Sequence, residues 1–132
     1  MLQALTIKQF AIIESLEINF SNGLTVLSGE TGAGKSIIID AIGQLVGARA
    51  SQSFVRHGEQ KSTIEGVFDI DNVPNVNKIL QNLDIDVDED FLFVKRDATY
   101  RQGFFLATRA CVTFNLEQFW LIHMAFILVR RY

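Results

Sequence analysis

A single cysteine, Cys111, excludes an internal disulfide and any zinc cluster built on cysteine pairs. It is compatible with a reducing cytoplasm. Positive charge is also short: 12 Lys and Arg stand against 15 Asp and Glu, for a net charge of −3. There is accordingly no global basic footprint for nucleic acid, and only a local patch remains to serve such binding. The N-terminus, Met1 to Lys8, has no basic region followed by an apolar run, so no signal peptide is expected. An apolar stretch near the end, Phe119 to Val129, is eleven residues long, well short of the ~20 that span a bilayer. Arg130-Arg131 beyond it suits an interfacial helix, the one membrane reading left open. What remains, 132 residues, suits one domain with a substantial core.

What is present in full is Gly29-Glu30-Thr31-Gly32-Ala33-Gly34-Lys35-Ser36, the pattern G-x-x-x-x-G-K-S. Glycines let the backbone curl and aim successive N–H groups inward, and a helix that follows adds its own positive end. Lys35 would supply a point charge to the β- and γ-phosphates of a nucleotide, and the Ser36 hydroxyl would hold Mg²⁺. The competing view is a glycine-rich turn that binds nothing, but such a turn has no use for the lysine and serine. The flanks agree with a phosphate site. Leu24 to Ser28 is a short β-prone run that enters as a buried strand. Ile37 to Val46 follows as a helix, with Ile38, Ile42, Leu45 and Val46 on one face and Gly47 as its stop.

Before the motif, Leu2 to Ile7, Phe10 to Ile13 and Leu16 to Phe20 give two or three strands in an antiparallel meander, closed by the turn Ser21-Asn22-Gly23. After it, Ser62 to Ile70 alternates as a strand with Ile64, Gly66 and Phe68 on one face. Asn75 to Leu83 reads as a short helix burying Val76, Ile79, Leu80 and Leu83. Five acids crowd Asp84 to Asp90, but the glycine and terminal glutamate of a calcium loop are missing, so this reads as a solvated linker. Phe91 to Arg96 closes the ordered pattern as another strand. Arg56 and His57 have two readings, a basic pair near nucleotide phosphates or an exposed loop pair; no triad spacing accompanies them.

Lys8 to Glu14, Gly23 to Ile42, Val55 to Gly58 and Val94 to Asp97 resemble the bacterial RecN family of DNA repair proteins. These are SMC-like members of the ATP-binding-cassette superfamily. The resemblance runs from Met1 to about Gly103. It implies an α/β P-loop NTPase fold, an ATPase head fragment with an N-terminal antiparallel β region. It also implies ATP and Mg²⁺ bound by Gly29 to Ser36, a head-to-head homodimer clasping ATP, and DNA contacted through the intact parent protein. A cytoplasmic, nucleoid-associated setting and a role in recombinational repair follow from it too. Arg56 sits where related heads place a basic loop near nucleotide and DNA. The departures are large. The signature motif, the glutamine loop, the heptads and the apolar run ending in Asp-Glu are not in this sequence, so hydrolysis by this chain alone is not expected.

Residues 1–103 therefore read as the N-terminal part of a head, and 104–132 as a divergent apolar tail. That tail carries Trp120 and Cys111 and a single acid, Glu117. A departure from the family's reading frame near Gly103 accounts for it best, with a core helix and an interfacial helix as rivals. Two other functions stay open: a stand-alone nucleotide-binding regulatory module, and a small P-loop kinase. Against the kinase stands the β-rich segment ahead of the P-loop.

Overall fold

The computed structural model describes residues 1–30, 34–82, 91–101, 104–107 and 111–113, and from Arg101 onward the backbone alone. β1 (Leu2–Phe10) and β2 (Ile13–Asn19) form an antiparallel hairpin. β3 (Lys61–Asp69) pairs antiparallel with the other side of β1, and β4 (Phe91–Arg101) pairs antiparallel with β3. The strand order is β2-β1-β3-β4-β5, so β1 and β3, not β2 and β3, are neighbours. The antiparallel meander expected ahead of the P-loop is the hairpin of β1 and β2, two strands.

Alternation explains why this sheet has one dry face. Antiparallel partners share a face, and two cross-strand rows carry the core. One row is Leu5, Gly66 and Val94; the next is Ile7, Ile64 and Arg96. Leu5, Ile7, Ile64 and Val94 are all buried, together with Phe10. Helix α1 (Lys35–Leu45) adds Ala41 and Leu45 to the same cluster. Its buried face is Ala41, Gln44 and Leu45, flanked by Ile37, Ile38 and Ile42. Val46, expected on that face, is exposed, because the helix ends at Leu45 and Val46 is its C-cap.

Gly47 is the stop the sequence indicated, with φ at +105°. Its N–H donates to Gln44 O (3.2 Å) and the Ala48 N–H to Gly43 O (2.9 Å), the paired bonds of a Schellman ending. Gly66 has a different task. A Cβ there would lie 2.8 Å from Leu45 Cδ1, so the missing side chain makes the notch in which Leu45 sits. At the far end of the sheet α2 (Pro74–Asn82) buries Leu80 against Ile70, with Val76 packed beside them. Leu83 and the acidic stretch Asp84 to Asp90 lie outside the described residues.

Two further expectations need correction. Leu24 to Ser28 is not part of any strand, and Leu24 is 92% and Val26 74% exposed. The described strands offer this run no ladder partner, and a β-prone segment without one has no face to bury. The ordered strand pattern also does not close at Arg96. β4 continues to Arg101, and β5 (Phe104–Ala107) and β6 (Cys111–Thr113) both pair antiparallel with it. Residues 114–132, including Phe119 to Val129, lie outside the described residues.

Candidate phosphate-binding site

Lys35 is the first residue of α1 and Gly34 its N-cap. No side chain caps this end, and the first turn carries no acid. Both features leave the positive end of the helix available to an anion. The first helical bond, Ile38 N–H to Gly34 O, is 3.0 Å. The Lys35 ammonium turns back across the loop and donates to Gly29 O at 2.5 Å, joining the first and seventh positions of the motif. Ser36, the residue expected to hold Mg²⁺, is exposed. Among the described residues, nothing beyond the immediate chain neighbours comes within 4 Å of the place a Cβ would occupy on Gly29 or Gly34. The structure thus places Lys35 and Ser36 on the first turn of α1 behind Gly34 and joins Lys35 to Gly29; Thr31, Gly32 and Ala33 lie outside the described residues. A polyphosphate with its magnesium fits this donor set: an ammonium, a hydroxyl and an uncapped helix end.

Arg56 serves the fold in a way its sequence position does not reveal. Its Nη1 donates to Ile12 O at 2.6 Å, and its backbone N–H donates to Gln9 O at 3.0 Å. The Ala11 N–H bonds Phe54 O at 2.7 Å, and the Phe10 and Phe54 rings stack with centroids 5.0 Å apart. Gln9 and Ala11 both have φ near +50°, a left-handed backbone costly to side-chain-bearing residues. The loop bearing Arg56 braces that strained hairpin end.

One charged residue near α1 escaped the reading by type. Arg96 lies in the dry register of β4, between Val94 and Ala98, and is only 9% exposed. Its Nη1 donates to Gln44 O at 2.5 Å and Ala48 O at 2.6 Å, the end of α1 opposite Lys35. Burial lowers its pKa below the usual arginine value through desolvation. Leu92-Val94-Arg96-Ala98 was the available signal: strict alternation puts the arginine on the buried face.

Among the described residues no helix is long and apolar enough to cross a membrane.

The family described as AAA domain matches residues 4–110, extending past Gly103 into β5. DNA repair protein RecN of Bacillus subtilis (strain 168) is 53% identical over 97 residues, covering 74% of this chain and 17% of its own length. RecN of Halalkalibacterium halodurans is 52% identical over 99 residues, covering 75% of this chain and 18% of its own. The chain thus spans less than a fifth of these relatives. Among solved structures, the recombination mediator protein RecF bound to ATP superposes with a TM-score of 0.59 at 16% identity, over 86% of this chain and 26% of that one. That likeness is one of fold alone. The chain belongs to the AAA domain family, and within it matches the N-terminal region of bacterial RecN proteins.

Proposed function

We propose that this chain is the ATP-binding portion of a RecN-like protein acting in recombinational repair of damaged DNA. The observation that carries the reading is Lys35, seated on the uncapped, acid-free first turn of α1 with its ammonium on Gly29 O. Lys35 would pair with the phosphates of ATP, the Gly29 to Ser36 motif would supply the rest of the phosphate-binding loop, and the Ser36 hydroxyl would hold Mg²⁺. Bound magnesium neutralises phosphate charge. Moving the Lys35 ammonium from the Gly29 carbonyl to a phosphate exchanges a neutral acceptor for a charged one, which strengthens that hydrogen bond.

Turnover needs more than binding. An in-line attack requires a residue to polarise the water and a second contact to the metal, the role of an Asp-Glu pair that ends an apolar run; no such run leads into Asp88-Glu89 in this sequence. In the intact protein a second head completes the site as a head-to-head dimer, DNA is reached through the remaining length, and the setting is cytoplasmic. The RecN relatives, named for DNA repair, support this assignment over a kinase or a free regulatory module.

The test is titration of the purified chain with a fluorescent ATP analogue and magnesium. Lys35→Ala is expected to weaken binding at least about a hundredfold, the scale of a lost charge-assisted contact. Equal affinity of the two proteins sinks the reading.

A further inference from the structure

The P-loop helix is held from its far end. Gln44 lies nine residues along α1 from Lys35, roughly 14 Å at the helical rise, so Arg96 cannot touch a nucleotide at the loop. It does meet the negative end of the helix that presents that loop. Gln44 O and Ala48 O lie on the two sides of the Schellman turn at Gly47, and one nitrogen of Arg96 gathers both. The arginine's own position is fixed. β4 is hydrogen-bonded to β3 along its length, Ile64 is its cross-strand neighbour, and Ile64 belongs to the buried cluster. Nothing else polar was needed to close the helix, since the turn already satisfies Gly43 O and Gln44 O from its own backbone. A buried cation there costs desolvation, and a neutral side chain would fill the space without that cost.

We infer that Arg96 is a positioning residue for phosphate binding: it pins the C-terminal end of α1 to β4 and thereby fixes where Lys35 and the helix N-terminus stand. This rests on the phosphate-binding reading of the loop. A rigid rod clamped at one end transmits a small tilt into a displacement at the other, and charge-assisted bonds to phosphate tolerate little displacement. Leu45 in the notch at Gly66 is the fulcrum, adjacent to the clamp. The guanidinium remains protonated throughout the working pH range, so the clamp is permanent, not a switch.

The whole 132-residue chain is the material for the test, with tripolyphosphate competed against a fluorescent ATP analogue. Tripolyphosphate carries the phosphate charge and no base, so it reads the loop alone. Wild type against Lys35→Ala first decides whether the loop binds phosphate. With binding present, Arg96→Met is expected to weaken tripolyphosphate about tenfold, and Arg96→Lys no more than about threefold, since a single ammonium can reach both carbonyls. A folded Arg96→Met that binds like wild type overturns the inference, as does an Arg96→Lys no better than Arg96→Met. A purely structural role predicts lost stability without that rescue of affinity. If Arg96→Met does not fold, Gly47→Ala decides, because it shifts the turn that carries Ala48 O while Arg96 stays in place. A severalfold loss of tripolyphosphate affinity supports the clamp, and an unchanged one overturns it. If wild type binds no phosphate, the function proposed above falls separately. The clamp is then read by amide hydrogen exchange at Ile38, whose N–H bonds Gly34 O: faster exchange in Arg96→Lys or Gly47→Ala supports it, and unchanged exchange overturns it.

Discussion

Leu5-Thr6-Ile7 and Leu24-Thr25-Val26-Leu27 are near copies in composition, and they end in opposite environments. In β1, Leu5 and Ile7 have no exposed surface, while Leu24 and Val26 are among the most exposed apolar residues described. Both runs have the propensity and the alternation of a strand. The difference is a partner. β1 is paired on both sides, by β2 and β3, and α1 covers the dry face. The run before the P-loop has no ladder among the described residues. Burial follows pairing here, and propensity only decides which side chains are ready for it.

The contrast can be tested from its strong end to its weak one. Phe10→Ala, which removes a fully buried ring and its stacking on Phe54, should cost about 3–5 kcal/mol in urea unfolding. A loss near zero would mean the hairpin core is not formed in solution. Gly66→Ala should cost about 1–3 kcal/mol, since its Cβ meets the buried Leu45 and Phe68 is also close, and hydrogen exchange should locate the damage in α1 and β3. Undisturbed exchange there would show that Leu45 does not occupy the notch.

Smaller effects sharpen the picture at the surface. Asp97 accepts from Thr63 Oγ1 at 2.7 Å and pairs with Lys61 at 2.9 Å across β3 and β4. Asp97→Asn should cost about 0.2–1 kcal/mol, with the salt dependence of unfolding reduced accordingly. The double change Leu24→Ser with Val26→Ser should move stability by no more than about 0.5 kcal/mol. It should also lower concentration-dependent light scattering, because an unpaired apolar run is a template for pairing between chains. A large loss of stability in this variant would erase the contrast with β1, since it would show the run packed in solution.

Legibility varied along the chain for physical reasons. Helix α1 and its stop at Gly47, the β3 alternation and α2 with Leu80 were all readable, because each depends on residues within a turn or two of one another. Arg56 was legible as a basic loop residue, but its bond to Ile12 O spans 44 positions and leaves no local trace. Val46 and the run Leu24 to Ser28 were misread in one direction: apolar residues were assigned a buried face before any surface was known to cover them. Arg96 was passed over in the other direction, since charge suggested water while its register placed it inside.

By itself the sequence determined the local geometry of α1: a lysine and serine opening a helix, glycines ahead of them, and a glycine to end it. These are short-range matters of backbone freedom and helix polarity. Tertiary structure alone decided which strands meet, and with that which apolar residues are buried. It alone set Gly66 opposite Leu45 and Arg96 beneath the end of α1. Such contacts join residues tens of positions apart, and their energy comes from surfaces that exist only once the sheet has formed.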